Sequence, residues 1–242
     1  MNVKTNIKIA IKEYIKNICL FIGFTITPKR KNVLIEKKID ILFDVGANAG
    51  QYAQDARRQG YKGKIISFEP LPEAHKQLIE KSKKDPLWVI HKRLALGSKR
   101  GSGIINVSEN SYSSSFLEIT QKLLSNTPDT RYVKKINVDI TTLDSVFNSY
   151  VKKSNKVFLK IDTQGFESEV LKGSIKNLRN ISGIQLELST EPLYEKQKTY
   201  EYFLTFLKKY NFRLWSIIPG YWNTKTGQLL QFDGIFIKKG IK

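Results

Sequence analysis

The stretch Ile41-Leu42-Phe43-Asp44-Val45-Gly46-Ala47-Asn48-Ala49-Gly50, followed by Ile65-Ile66-Ser67-Phe68-Glu69-Pro70, decides the fold. Each segment is an apolar run of strand character that ends in an acid. After the first come small residues and then a helical pattern, so a strand hands its backbone to a tight turn and a helix. Glu69 follows Gly50 by about twenty residues, the interval at which a βαβ unit brings an acid to the ribose of a bound nucleoside. A nucleoside-containing cofactor is therefore expected.

Working outward, strands and helices alternate from residue 40. Strands are expected near 41–45, 64–68 and 87–91, with helices near 50–58 and 72–83. Pro72 and Glu73 make a suitable first turn for the second helix. Alternation of this kind implies a parallel sheet with helices on both faces. Residues 98–135 are less regular, with a strand at 104–107 and a polar run from Ser108 to Ser115. Composition reads that run as a surface loop, and its place between core strands leaves it free to fold over a ligand. Residues 138–150 hold a short strand and a helix capped by Thr141 or Thr142. Residues 157–161 read as a buried strand ending at Asp162, 165–178 as a helix, 183–188 as a strand carrying Glu187, and 197–209 as a helix. The last two strands, 212–218 and 229–237, have no helix between them and should pair antiparallel.

At 242 residues, with 40% hydrophobic and 26% charged residues, the chain suits one α/β domain with additions. The single Cys19 excludes an internal disulfide and a Cys-based zinc site, and fits a reducing, cytoplasmic compartment. The net charge of +19 invites a nucleic-acid reading. The charge is mostly lysine, however, and scattered, whereas phosphate and base recognition favours the planar fork of arginine. Nucleic acid is therefore disfavoured as a partner. Residues 1–38 stand apart as a basic amphipathic helical extension of a domain at 39–242. Val3, Ile7, Ala10, Ile11, Tyr14, Ile15 and Ile18 recur at helical spacing, and Lys4, Lys8, Lys12 and Lys16 line another face. Such a helix, over residues 1–35, can lie on an anionic membrane surface or pack on the domain. No stretch approaches the roughly 20 apolar residues of a membrane span, and no cleavable signal is expected.

The first turn offers Gly46 and Gly50 but not G-x-G-x-x-G. The pyrophosphate of a nicotinamide dinucleotide needs backbone approach at several glycines, which disfavours an oxidoreductase. S-adenosylmethionine has no pyrophosphate, and one tight turn is enough for it. Asp44 is then placed to hold the methionine ammonium, directly or through water, and Glu69 to accept the ribose hydroxyls. A parallel sheet finished by an antiparallel hairpin is also the layout of class I S-adenosylmethionine methyltransferases, a Rossmann-like three-layer sandwich on a mostly parallel seven-stranded sheet.

The motifs go further. Asp44-Val45-Gly46-Ala47-Asn48-Ala49-Gly50-Gln51-Tyr52, Phe68-Glu69-Pro70-Leu71-Pro72, Leu94-Ala95-Leu96-Gly97, Ser113-Ser114-Ser115 and Thr142-Leu143-Asp144 stand in order. They are followed by Lys160-Ile161-Asp162-Thr163-Gln164-Gly165-Phe166-Glu167, Val170-Leu171-Lys172-Gly173, Gln185-Leu186-Glu187-Leu188, Pro192-Leu193-Tyr194-Glu195 and Gln231-Phe232-Asp233-Gly234-Ile235-Phe236. Over about residues 40–238 the chain resembles the FkbM family of S-adenosylmethionine-dependent methyltransferases, many of which methylate sugar hydroxyls. The resemblance implies S-adenosyl-L-methionine as cofactor, with contacts at Asp44, Gly46, Asn48, Glu69 and Asp162; their neighbours Ala47, Gly50, Tyr52 and Pro70, and the backbone at Ala95, are further candidate contacts. It also implies an acceptor hydroxyl on a sugar of a glycan or glycosylated natural product. Arg93 is a departure, standing where the family pattern has asparagine.

A sugar hydroxyl is a poor nucleophile, so a base must take its proton. Asp162 and Glu187 are the first candidates, with Glu167 and Glu191 behind them; Asp162 has a second possible role at the methionine end of the cofactor. His75, one turn past Glu69, is a further candidate base, and His91 reads as structural. Trp215, Tyr221 and Trp222 can stack on a sugar ring, although packing of the antiparallel strands explains Trp215 better and leaves Tyr221 and Trp222, in a loop, as the pair of interest. No metal site is expected, because carboxylates alone would have to build it. The runner-up activity is ribose methylation of RNA. Base-amine methylation is disfavoured, since Asp162-Thr163-Gln164-Gly165 occupies the place of an Asn/Asp-Pro-Pro-aromatic element.

Overall fold

The computed structural model describes Glu13, Tyr14, Phe21 and residues 31–241. Glu13, Tyr14 and Phe21 are helical; the remainder of the expected amphipathic helix lies outside the described residues. The chain divides into two compact units, Met1–Asn32 and Val33–Lys242. Helix α1 (Val33–Glu36), which the sequence reading puts at the end of the extension, belongs to the larger unit. Its Leu34 is buried in one cluster with Ile39, Leu42 and Ala53.

A seven-stranded sheet forms the centre of that unit. Its strands are β1 (Ile41–Val45), β2 (Lys64–Phe68), β3 (Trp88–Ile90), β7 (Val157–Ile161), β8 (Ile181–Ser189), β9 (Phe212–Pro219) and β10 (Gln231–Lys238), in the order β3-β2-β1-β7-β8-β10-β9. The first five run parallel; β10 is antiparallel to both β8 and β9. This is the mostly parallel sheet with antiparallel C-terminal strands that the sequence leads one to expect. Side chains alternate across it. Ile41, Phe43 and Val45 enter a core with Val170 and Leu171 of α6 (Glu167–Lys172) and Phe203 and Leu207 of α7 (Tyr200–Lys209). Leu42 faces the other way, towards Ala53 and Ala56 of α2 (Gln51–Arg58) and Leu78 of α3 (Pro72–Ser82). Helices cover both faces, so the strands are apolar on both sides.

The middle of the chain departs from expectation. Between the second and fourth parallel crossovers lies a second sheet of β4 (Ala95–Leu96), β6 (Tyr132–Thr141) and β5 (Gly101–Ser108), with α4 (Gln121–Asn126) following the polar run. β6 is ten residues long where a short strand was expected. Its exposed positions include Lys134, Lys135 and Asp139, on both faces near its start, which weakens the apolar signal by which strands are recognised. The helix expected over 165–178 is only α6; Gly173 is its C-cap, where a side chain would overlap the Gly97 carbonyl. Thr142 caps α5 (Leu143–Val146) by accepting the Ser145 amide.

Gly46 leaves β1 with φ +72°, and a Cβ on it would overlap the carbonyl oxygen of Asp162 at the end of β7. Gly46→Ala therefore meets both backbone strain and a backbone clash. We expect it to lower the unfolding free energy by about 3 kcal/mol or more. Urea unfolding checks this, and a midpoint equal to that of the parent would contradict the close approach of the two strand ends.

Candidate active site

Chain order reverses between β1 and β7. β1 continues towards β2 on one side and β7 towards β8 on the other, so the turns that leave these neighbours diverge and open a crevice. A cavity of about 530 Å³ occupies it, within the range of small-molecule sites, about 300–1,000 Å³. The turn Gly46–Asn48 forms one edge, and Gln51, Tyr52, Asp55 and Arg58 of α2 form a wall. Phe68, Leu94, Ala95, Leu96, Phe116 and Phe166 give an apolar end; the rings of Phe116 and Phe166 lie 4.6 Å apart. Ser111, Tyr112, Ser114 and Ser115 of the polar run close over the space.

Glu69 faces this cavity from the end of β2 and is 4% exposed. Its Oε2 accepts the Asn48 amide at 2.8 Å and its Oε1 the Leu71 amide at 2.8 Å. Asn48 tolerates φ +45° because its own side-chain oxygen bonds the Ala49 amide at 2.7 Å. Burial pushes the Glu69 carboxyl up to about 7, while the two amides and the Lys160 charge oppose the rise.

On the sheet face beneath α2 runs a row of polar side chains, buried at Asp44, Lys160 and Gln185 and half-buried at Glu187 and Asp233. Asp44, Lys160 and Gln185 are register partners on β1, β7 and β8, and Glu187 is the partner of Asp233 on β10. The Lys160 ammonium lies 3.5 Å from Asp44, 3.4 Å from Asp162 and 3.3 Å from the Gly46 carbonyl. Burial disfavours that charge, but Asp162, Asp44 and Asp233 outweigh it and hold its pKa above the usual lysine range. Asp44 is fully buried, and its other oxygen accepts Ser67 Oγ at 3.2 Å. Ser67 in turn accepts the Trp88 indole at 2.9 Å. Asp44 thus does not line the cavity, and its direct partner is Lys160. Tyr52 does line it, and donates to Gln185 Oε1 at 2.8 Å.

The candidate bases divide clearly. Asp162 and Glu187 both line the cavity, and both accept from the Gln164 amide at 2.7 Å. Burial, then the charges of Asp162, Glu167 and Asp233, raise the Glu187 carboxyl well above the ordinary range. Asp162 keeps 33% of its side chain exposed. Glu167 is instead committed to its own loop, accepting the Thr163 and Gly165 amides and the Thr163 hydroxyl. Glu191 pairs with Lys122 and Gln228 away from the cavity. His75 is corrected: it lines no part of the site, and its Nε2 bonds the His91 carbonyl at 2.8 Å, a local tie between α3 and the end of β3. His91 itself bonds Tyr150 and is structural.

Among the expected cofactor contacts, Gly46, Ala47, Asn48, Tyr52, Glu69, Pro70, Ala95 and Asp162 line the cavity. Gly50 does not. It starts α2 at φ +85°, and a Cβ there would strike Trp88 and Leu78. Arg93 turns to the Pro70 carbonyl at 3.1 Å. The expected sugar-stacking aromatics are corrected too. Trp215 lies on the edge strand with Lys37 over its ring, Tyr221 bonds Thr127, and Trp222 is exposed; none reaches the cavity. Lys160, Gln164, Gln185 and Asp233 were missed as site residues, although Lys160 lies near the end of β7, Gln164 in the turn after it and Asp233 near the start of β10, where ligands bind in such sheets; Gln185, inside β8, gave no such signal. The charged lining is Asp55, Glu69, Asp162, Glu187 and Asp233 against Arg58 and Lys160, an acidic cavity in a strongly basic chain. Among the described residues no group of three or more His, Cys, Asp or Glu is placed to hold a metal ion.

Known proteins resemble the chain in the same region. The chain is 30% identical over 149 residues to the hexuronic acid methyltransferase AglP of Haloferax volcanii. That match spans 62% of this chain and 56% of the relative, so the chain covers little more than half of that protein's length. Among solved structures, the methyltransferase FkbM of Methylobacillus flagellatus is similar with 15% identity and a TM-score of 0.45, over 81% of this chain and 43% of that one. A SAM-dependent methyltransferase of Aquifex aeolicus is similar with 16% identity and a TM-score of 0.42, over 85% and 87%. The methyltransferase FkbM domain model matches residues 44–214, most of the described unit, and the chain belongs to that family.

Proposed function

We propose that the protein is an S-adenosylmethionine-dependent O-methyltransferase that methylates a hydroxyl of a sugar, in a glycan or a glycosylated natural product. The observation that carries the reading is the acidic crevice, with Glu69 at its nucleoside end and Asp162 and Glu187 at the other. The cofactor fits what lines it. A buried carboxylate with a free lone pair on each oxygen suits a ribose diol, and the apolar end suits an adenine. The surplus of acids suits a sulfonium and an ammonium, where a pyrophosphate or a nucleic-acid phosphate would be repelled. Membership of the FkbM family implies the same methyl donor. The sugar acceptor is supported by the relative that methylates a hexuronic acid.

Bound there, S-adenosylmethionine supplies an electrophilic methyl group whose departure extinguishes the sulfonium charge. The chain's own residues align and dry the site. The segment Ser111–Phe116 covers it, and Tyr52 and the Lys160 cluster fix the floor. Asp162, a third of its side chain open, receives the acceptor's proton in this reading. Glu187, whose carboxyl burial and the neighbouring acids raise well above the ordinary range, stands beside it. A cytoplasmic site of action, with residues 1–35 against an anionic membrane face, is part of the same proposal. No helix among the described residues is long and apolar enough to cross a membrane.

Incubation with methyl-tritiated S-adenosylmethionine and either the glycan or the RNA fraction of a cell extract should label the glycans. Asp162→Asn should lower that labelling by about a hundredfold or more. Label confined to RNA would contradict the acceptor, and full labelling by the variant would contradict the base. A pH signature accompanies the site. The proton that Glu69 holds in the fold, up to about 7 against 4.5 when unfolded, stabilises the protein fully below about pH 4.5. That contribution is lost as pH rises through 7, so the parent should lose about 3 kcal/mol relative to Glu69→Gln between pH 4 and pH 8. Urea unfolding at the two pH values measures it; an unchanged difference would contradict the buried carboxyl.

A further inference from the structure

Gln164 stands between the two carboxylates in a conformation that non-glycine residues avoid, φ +53°. A side-chain amide has two N–H donors on one atom and a carbonyl acceptor on the other. Here both donors are spent on the acids, at 2.7 Å to Asp162 Oδ1 and 2.7 Å to Glu187 Oε2. The carbonyl accepts the hydroxyl of Tyr194 at 2.8 Å. The reversed amide would turn its oxygen on two carboxylates, so the acids select this direction and the tyrosine hydroxyl satisfies the oxygen it leaves. Tyr194 is wholly buried and also reaches the Ser113 carbonyl at 3.3 Å. The main chain of Gln164 is tied as well: its carbonyl accepts Ser115 Oγ at 2.6 Å. Both serines belong to the segment that covers the cavity. That segment is anchored beside Tyr194 by Thr120 N to Leu193 O at 3.0 Å and Glu195 N to Glu118 O at 2.8 Å.

We infer that Gln164 is the positioning residue of the transfer: one amide, aimed by Tyr194 and the covering segment, holds Asp162 and Glu187 as a single aligned carboxylate pair. The inference rests on the site reading above. Its physical content is that two neighbouring acids in a dry site would otherwise share a proton and swing together. Two N–H donors instead hold one oxygen of each and keep the two carboxyl groups apart. The other groups that face Glu187 are Glu167 and Asp233, the Lys160 ammonium, the Tyr194 ring, and Gln231, whose amide donates to the same Oε2 at 2.9 Å. Seating of the covering segment and direction of the base are thus one arrangement, so the pair is in register when the cavity is closed.

The test needs no acceptor. Calorimetric titration with S-adenosylmethionine, in buffers of different ionisation enthalpy from about pH 5 to about pH 9, counts the protons released as a cation arrives beside the pair. S-adenosylhomocysteine, lacking the sulfonium charge, is the control and should release fewer. Gln164→Met keeps the length and the backbone strain but has no donor. It should move the midpoint of proton release to higher pH, because the charged carboxylates lose their donors. Tyr194→Phe should move it in the same direction by less, and carries the test alone if the first variant does not fold. Release with the parent's midpoint in the folded variants overturns the inference while leaving the cofactor site standing. Absence of S-adenosylmethionine binding by the parent overturns the site reading, and the inference with it.

Discussion

The Lys160 ammonium, buried between Asp44, Asp162 and the Gly46 carbonyl, is the interaction on which the site depends. It lies at the point where the chain reverses its order across the sheet, and its three partners come from both sides of that point. Taking a lone ammonium out of water costs several kcal/mol, and removing one member of a buried pair commonly costs about 3–5 kcal/mol. Lys160 therefore fixes the ends of β1 and β7 in one geometry. Asp44 acts through it, supported by Ser67 and Trp88, and has no place on the cavity wall. What the adjacent strand ends need in order to approach is Gly46, whose missing side chain leaves room for the Asp162 carbonyl.

Charge and topology then act together. A chain with a net charge of +19 gathers acids around one crevice, so the site differs in sign from the chain that surrounds it. The row Asp44, Lys160, Gln185, Glu187 and Asp233 carries one positive group against three acids, with Asp162 just above. Burial lifts Glu187, Glu69 and Glu167; of these Glu187 lines the cavity among acids, and its rise marks free energy that a cationic ligand can recover by restoring the charged form. The hydrogen bonds of Gln164 and Tyr194 divide that cluster into a pair with direction and a background without one.

Much of this was legible in the sequence, and for physical reasons. Strands buried on both faces read as continuous apolar runs, so β1, β2 and β7 stood out, and acids at their ends marked the crevice. Glu69 was found because the βαβ unit fixes its distance from the turn. The second sheet was not legible, because β5 and β6 carry serine, glycine and lysine on faces that water or a neighbouring loop can satisfy. His75 misled because a helix's first turn after Glu69 reads as near the ligand, whereas the ring points back to the His91 carbonyl. Tyr221 and Trp222 stand off the cavity because aromatic residues are valuable both at edges and at sugars, and a sequence gives no depth; Trp215 belongs to the antiparallel strands, where packing was the better reading. Gln164 escaped notice since a neutral amide announces no chemistry until its two partners are seen.

Calorimetric titration of the purified protein with S-adenosylmethionine, beside NAD and beside the Glu69→Ala variant, tests the central claim most directly. S-adenosylmethionine should bind, NAD should not, and loss of the Glu69 carboxylate should weaken binding by about ten- to a hundredfold, the worth of hydrogen bonds to a charged group. Binding of NAD in preference, or equal affinity in the variant, would contradict the account.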